Sequence, residues 1–457
     1  MARVAAQSHS TPPPRPPERT VRMAPDDRRR QLLDCTVELL LDQGFGQVTI
    51  EAIAQRAGVT RPVVYDTFND LDSLLLAVID RAEQRSVLAL RRIFGFDPPS
   101  GIDPDTFLIE SVDAFLRAVR EDPRTWRLVL MPPPGNSPEL RRRIDAARRE
   151  ISGRIQTLLD WGLPARGGPL GLDTALLARL TVAIGEDSAR LMLTHPRKFT
   201  PARLSVPAGA LLALLEPGTP PDIAPPTHVS IPPPAAADRI TVPPPPSLVA
   251  GRKRVPQSER REQLLDVALG IVAEAGFGTL TMEAIARRAQ VNRVVIYRSF
   301  ANLPLLIAAL MHREDVRVRE TLRGLIPQNP SGHEPRLVLF EALRHLLEAV
   351  SAQPQTWRLA LLRPESAPRA LQRIVNLRRT ALAKRIEPLV EYVVGDLGLS
   401  PGGSEVEAIA RMLLTIGEES GRLALSAAEF PPDRLLAATW QMLVALRLPG
   451  PDPRATK

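Results

Sequence analysis

The chain has 457 residues, one cysteine, 47 prolines and a formal net charge of +8. That length predicts two or more domains of about 100 to 200 residues each, a single cysteine excludes an intrachain disulfide and fits a reducing cytoplasm, and no apolar run approaches the roughly 18 residues needed to span a bilayer. The charge permits a polyanionic partner without requiring one, so its distribution along the chain matters more than its sum.

Residues 1–25 (MARVAAQSHSTPPPRPPERTVRMAP) lack apolar periodicity and an apolar segment, and read as a disordered basic tail rather than an export signal. From Asp26, the residues Leu32, Leu33, Val37, Leu40 and Leu41 recur at helical spacing, and Gly44-Phe45-Gly46 supplies the glycine stop. Cys35 lies in this helix and reads as a packed residue. The stretch TIEAIAQRAGVTRPVVYDTF (Thr49 to Phe68) follows. Thr49 is suited to an N-cap, Ile53 to an inward position, Gly58-Val59 to a break and Thr60 to a second N-cap. Two short helices joined this way form a helix-turn-helix, whose second helix enters the DNA major groove. Leu71 to about Ile93 reads as a long amphipathic helix.

The same order returns in TMEAIARRAQVNRVVIYRSF (Thr281 to Phe300), with Gln290-Val291 at the break and Asn292 at the second N-cap. Gly44 aligns with Gly276 and Arg81 with Arg313, and a whole module is duplicated. The repeat continues beyond the helix-turn-helix. DPRTWRL (Asp122 to Leu128) returns as QPQTWRL (Gln353 to Leu359), and IGEDSARLML (Ile184 to Leu193) as IGEESGRLAL (Ile416 to Leu425), followed by Phe199 or Phe430. Nothing alternates at period two, so the expected fold class is all-α. The expected divisions are a tail at 1–25, a first head at 26–71, a first helical body at 72–215, a proline-rich linker at 216–257, a second head at 258–303 and a second body at 304–449. Arg28-Arg29-Arg30, and Arg252-Lys253-Arg254 with Arg260-Arg261, are placed to meet phosphates flanking a groove.

At about 100° per residue, turning Val64 and Phe68 inward sends Pro62 and Asp66 outward, with Val63 and Thr67 beside them. The second copy presents Val294, Arg298, Val295 and Ser299. Together with Thr60, Arg61, Asn292 and Arg293 at the helix starts, these are the expected base-reading positions. Arg298 can donate two hydrogen bonds to guanine and Asp66 can accept from cytosine N4, so the heads should read different half-sites.

No enzyme motif is present: no Walker loop, no G-x-S-x-G, no H-E-x-x-H and no cysteine cluster, with the six histidines scattered. Neither a metal nor another cofactor is expected. Phe115, Trp126, Met131, Trp357 and Tyr392 are candidates to line an apolar cavity in the helical bodies, although such residues also serve as plain core. Glu186 and Glu418 could bond a ligand, but each has an arginine four residues on, Arg190 or Arg422, with which a helical pair is the default.

The segments GFGQVTIEAIAQRAGVTRPVVYDTF and GFGTLTMEAIARRAQVNRVVIYRSF match the pattern G-[FY]-x-x-[TV]-[TS], then I-A-x-x-A-G-V-[ST], then Y-x-x-F. In this the chain resembles TetR-type (tetracycline-repressor-like) transcriptional regulators. The resemblance implies two modules, each a three-helix DNA-binding head with a C-terminal helical ligand and dimerisation body. It implies double-stranded DNA as partner, a small apolar effector that releases it, and action as a repressor. Family members are homodimers joined through their last two helices. Here the implied arrangement is a monomeric pseudo-dimer, with Leu176 to Leu193 and Pro201 to Leu215 against Glu405 to Leu425 and Pro432 to Leu446. Thr49, Tyr65, Thr281 and Tyr297 match phosphate-contacting positions. Leu71 and Leu303 stand where many members carry lysine, and Gln290 replaces the turn glycine. These departures, with Asp66, favour the competing reading of a non-enzymatic helical ligand- or partner-binding scaffold with degenerate heads.

Overall fold

The computed structural model describes residues 23–43, 48–95, 100–131, 138–221, 223–226, 256–323, 326–327, 332–362, 369–394, 403–426 and 428–450. The expected tail (apart from its last residues), the Gly44-Phe45-Gly46 stop, most of the linker and Arg252-Lys253-Arg254 lie outside them.

The described residues form eighteen α-helices in two like series. The first is α1 (Pro25–Gln43), α2 (Ile50–Ala57), α3 (Arg61–Tyr65), α4 (Leu71–Phe94), α5 (Pro104–Glu121), α6 (Pro123–Leu130), α7 (Pro138–Ala165), α8 (Thr174–Thr194) and α9 (Pro201–Ala213). The second is α10 (Gln257–Ala275), α11 (Met282–Arg288), α12 (Arg293–Ser299), α13 (Leu303–Leu322), α14 (Pro335–Ala352), α15 (Pro354–Ala360), α16 (Arg369–Val394), α17 (Ser404–Ser426) and α18 (Pro432–Val444). Short polar residues set many of the starts. Asp70 accepts from Ser73 N–H at 2.7 Å while Ser73 Oγ accepts from Asp70 N–H at 3.2 Å, a reciprocal capping box that starts α4. Asn302 does the same work for α13, accepting from Leu305 N–H at 2.9 Å.

Each head is closed by one apolar cluster. Leu32, Leu40, Ile53, Val64, Phe68 and Leu74 pack in the first, and Leu264, Ile285, Ile296, Phe300, Leu306 and Leu310 in the second. The repeated TWRL helices join head to body. Leu128 of α6 enters the first cluster and Leu359 of α15 the second, whereas the tryptophans two positions earlier belong to the body cores.

The two halves meet through their last helices. α8 and α9 of the first half both pack on α17 of the second. Leu176 and Leu180 share a core with Phe430, Leu435 and Ala438, and Ala408 joins the core around Met192 and Phe199. Ion pairs cross the seam from Asp173 to Arg434 at 2.8 Å, from Asp187 to Arg379 at 2.7 Å and from Lys198 to Glu407. Backbone bonds follow at its end, where Glu216 N–H donates to Ala445 carbonyl at 2.9 Å and Arg447 N–H to Leu214 carbonyl at 2.7 Å. Just beyond, Trp440 Nε1 donates to Ile223 carbonyl at 2.7 Å, so the departing chain is held against the opposite half.

Asp187 is the most deeply placed of these charges. Burial opposes its ionisation, but the Arg379 guanidinium beside it, with Arg190 and Arg411 farther off, outweighs burial and holds the carboxyl below its ordinary pKa. Arg379 also donates Nε to Glu418 at 3.1 Å and Nη2 to Thr415 Oγ1 at 3.2 Å, so its fork is shared between the halves.

Candidate nucleic-acid interface

The two helix-turn-helix units share their first cap and the conformation of their turn. Thr49 Oγ1 accepts from Ala52 N–H at 3.1 Å, and Thr281 Oγ1 from Ala284 N–H at 3.0 Å. The first break uses Gly58 at φ 66°, and the second places Gln290 in the same left-handed region at φ 53°. Gln290 thus keeps the turn that a glycine would make without strain, at a cost of about 1 kcal/mol. The reading helices start differently. Asn292 accepts from Val294 N–H at 3.1 Å, whereas the Thr60 side chain makes no cap bond and α3 instead opens on Pro62, whose missing N–H has no intrahelical partner to lose.

Val64 and Ile296 are fully buried, and Phe68 and Phe300 nearly so, which fixes the faces of α3 and α12. Thr49, Thr60, Arg61, Pro62, Tyr65 and Asp66 are exposed in the first head, and Thr281, Asn292, Arg293, Val294, Tyr297 and Arg298 in the second. The remaining candidates are drawn in. Val63, Thr67, Val295 and Ser299 are half-buried, and Thr67 Oγ1 and Ser299 Oγ donate to the carbonyls of Val63 and Val295 at 3.1 and 3.3 Å. Their hydroxyls are spent on the helix, leaving only flank atoms for a groove.

Two paired features went unread in the sequence. Arg61 forms an ion pair with Glu51, and Arg293 with Glu283, so the first turn of each reading helix is tied to the first turn of the helix before it. Both partners are exposed in each case, and such pairs contribute about 0 to 1 kcal/mol. A phosphate or base edge can therefore exchange with the glutamate at little cost. Arg29 stacks on Phe68 at 4.4 Å and Arg261 on Phe300 at 4.1 Å, and Arg261 Nη1 also donates to Ser299 carbonyl at 2.9 Å. These arginines brace the far end of each reading helix, an alternative to the phosphate role that the charge cluster suggested. Arg28 and Arg260 bond Gln31 and Gln263, each at 2.5 Å. The basic residues and glutamates were visible in the sequence; what was missing was the knowledge that the start of α1 or α10 lies beside the end of α3 or α12.

The five cavity candidates fall in three places. Phe115 stands edge-on to Trp126 at 5.4 Å and packs with Met131 in the first-half core. Tyr392 donates its hydroxyl to Gly450 carbonyl. Trp357 alone of the five lines the apolar cavity of the second body, which has a volume of about 180 Å³. Glu186 pairs with Arg190 at 3.0 Å, the helical pair expected, and also with Arg148 at 2.7 Å. Among the described residues no single helix is long and apolar enough to cross a membrane.

The sequence pattern of bacterial regulatory proteins of the tetR family matches residues 32–78 and again residues 264–304. The transcriptional activator FasR of Mycolicibacterium smegmatis is 29% identical over 38% of this chain and 77% of its own length. The transcriptional repressor KstR of Rhodococcus jostii is 31% identical over 21% of this chain and 44% of its own, so the chain spans less than half of that relative. A solved TetR-like regulator from Rhodococcus sp. RHA1 is 23% identical, with 41% of this chain and 96% of that one covered and a TM-score of 0.34. With the head matched twice and an all-helical body behind each copy, the chain belongs to the TetR family of helix-turn-helix transcriptional regulators and carries the family's module in tandem.

Proposed function

We propose that the chain acts as a single-chain pseudo-dimer that reads an asymmetric operator, represses from it and is released by a small molecule bound in a helical body. One observation carries this reading: two reading helices with different outward chemistry are held in one molecule whose halves share a buried seam. The outward face of α3 offers Pro62 and Asp66, and that of α12 offers Val294 and Arg298. Arg298 suits guanine in a way that Asp66 cannot, because a carboxylate accepts where an arginine donates. Tyr65 and Tyr297, each 52% exposed, with Thr49 and Thr281, are assigned to phosphates, where they set register without specifying sequence. DNA as target places the protein's work in the cytoplasm.

A homodimer reads a palindrome because its heads are identical, and this chain has no such requirement. Half-sites about one helical turn, ~34 Å, or slightly more apart are expected. Selection of bound fragments from genomic DNA by the intact chain tests the reading. Two unlike half-sites support it, whereas convergence on a perfect palindrome refutes it. Binding that is weak, uniform over sequence and shallow in its salt dependence would instead favour the scaffold reading, since a regulator making 6 to 10 phosphate contacts loses about 10³ to 10⁵ in affinity between 50 and 200 mM salt.

A further inference from the structure

The cavity of the second body lies among α13, α14, α15, α16, α17 and α18, with walls that are mostly leucine, isoleucine and alanine. Polar groups enter it from Arg378, Arg385, Glu418 and Thr439. Thr439 is buried, and its Oγ1 has no hydrogen-bond partner among the described residues, although a helical threonine usually satisfies its hydroxyl on the preceding turn. Arg378 donates Nη2 to Ala360 carbonyl at 2.5 Å, but its carboxylate neighbour Asp315 stands 3.7 Å from Nη1. Burial lowers the pKa of Arg378, Glu418 and Asp315 offset this only in part, and Arg379 adds to the lowering. Glu418 is already engaged by Arg379 at 3.1 Å and by Arg422 at 3.9 Å. Arg385 is exposed at the rim. The cavity therefore joins apolar walls to a buried guanidinium whose paired carboxylate stands 3.7 Å away and to a hydroxyl without a partner among the described residues.

The first half differs at the positions that matter. Counting from the shared TWRL helices, the like pairs Arg148–Glu186 and Arg379–Glu418, and the shared Phe199 and Phe430, the counterparts of Leu346, Arg378 and Thr439 are Phe115, Ala147 and Ala208. The guanidinium and the hydroxyl are both replaced by methyl groups. The Phe115 ring packs on Trp126 and lies 3.7 Å from where a Cβ on Gly185 would be, much as Leu346 lies 3.5 Å from the same point on Gly417, so the space beside the glycine is filled in both halves and the polar pair is what sets them apart.

We propose that the second-half cavity binds one amphipathic anion per chain, an apolar body with a single acidic head held by Arg378 and Thr439, and that the first half binds none. The regulatory meaning of this site rests on the effector reading above, but the binding itself does not. Glu418 on the cavity wall holds Arg379, and Arg379 holds Asp187 of the other half. A ligand head drawn to Arg378 thus sits one residue from the charge that joins the halves, and an effector in one body can move both heads.

Titration of the intact chain with octanoate, followed by calorimetry and by tryptophan fluorescence through Trp357, tests the proposal, with octanol and octylamine as uncharged and cationic matches. One octanoate per chain is expected, bound at least about tenfold tighter than either match, the value of one charge-assisted hydrogen bond. Arg378→Met should remove that preference while leaving octanol binding in place, which shows that the cavity still folds. Thr439→Val, close in shape, should weaken octanoate several-fold. Two octanoates per chain, equal affinity for octanoate and octanol, or no octanoate binding would each overturn the proposal. Octanoate bound as expected with no change in DNA retention would leave the site standing and refute the effector reading instead.

Discussion

The buried pair of Asp187 and Arg379 offers the most direct test that the two halves are one folded unit. Side chains of both residues are under 10% exposed, and they lie on opposite sides of the seam. Removing Asp187 leaves a guanidinium that water cannot reach easily, and breaking a buried pair in this way costs about 3 to 5 kcal/mol. The lower end applies here, because Arg379 keeps Glu418 at 3.1 Å and Thr415 at 3.2 Å. Replacing both partners with apolar residues removes the stranded charge as well, so Asp187→Ala with Arg379→Met should cost no more than either single change. Urea unfolding of the intact chain, read by helical signal, supplies the four corners of this cycle. If all 457 residues unfold together, an entropy near 1 kcal/mol/K translates that loss into roughly 3 °C of Tm. Additive losses from the two substitutions would refute the reasoning, as would an Asp187→Ala protein as stable as the parent. The pH dependence has a definite sign. The folded pKa of Asp187 lies below its unfolded value, so its contribution is present above the unfolded value of about 3.9 and disappears as the pH falls through the folded one. The acid arm of the stability curve should accordingly be shallower in the double variant.

Further outcomes follow from the heads and the seam. Arg298→Ala should cost about 1 to 3 kcal/mol in operator affinity and relax one half-site only, measured by anisotropy at fixed salt; Thr67→Ala, whose hydroxyl is spent on Val63 carbonyl, should cost less, and equal losses would undo the ranking of the two heads. Gln290→Gly should raise stability by a few tenths to 1 kcal/mol, because relief of the left-handed conformation exceeds the added chain entropy; a loss on thermal unfolding would count against the strain. Sedimentation should give a mass near 50.1 kDa, and a value near twice that would show the seam serving partners between chains instead.

Much of this was legible before any coordinates, for reasons that differ by element. The caps Thr49, Thr281 and Asn292 and the faces of α3 and α12 follow from local chemistry and from helical periodicity, which act over a few residues. The order of helices followed from the repeat. Contacts between helices distant in sequence could not be read. Nothing in the sequence near Arg29 or Arg261 announces Phe68 or Phe300, and the tie of Arg61 to Glu51 needs the angle between two helices. The cavity is the clearest case. Aromatic and methionine type pointed to Phe115, Trp126, Met131 and Tyr392, which pack or bond elsewhere, while Arg378 and Thr439 drew no attention because a lone arginine on a basic helix and a lone threonine on an apolar one are ordinary until their surroundings are known.

Duplication within one chain explains why such differences can accumulate where they do. In a symmetric dimer every substitution occurs twice, so an arginine suited to one half-site is imposed on the other, and a cavity opened in one body is opened in both. Covalent linkage removes that constraint from the heads and the cavities but leaves it partly in force at the seam, where each half must still fit its neighbour. The positions divide accordingly. Residues that cap the first helix of each helix-turn-helix or hold each body together keep their counterparts, as with Thr49 and Thr281, Phe199 and Phe430, or the Arg148–Glu186 and Arg379–Glu418 pairs. Residues on the outward faces of α3 and α12, or at the second-body cavity and its first-half counterpart, do not, as with Asp66 and Arg298 or Ala147 and Arg378. Divergence on those outward faces and cavity walls, over a scaffold that stays largely alike, is the pattern that the proposed reading of two unlike half-sites by one chain requires.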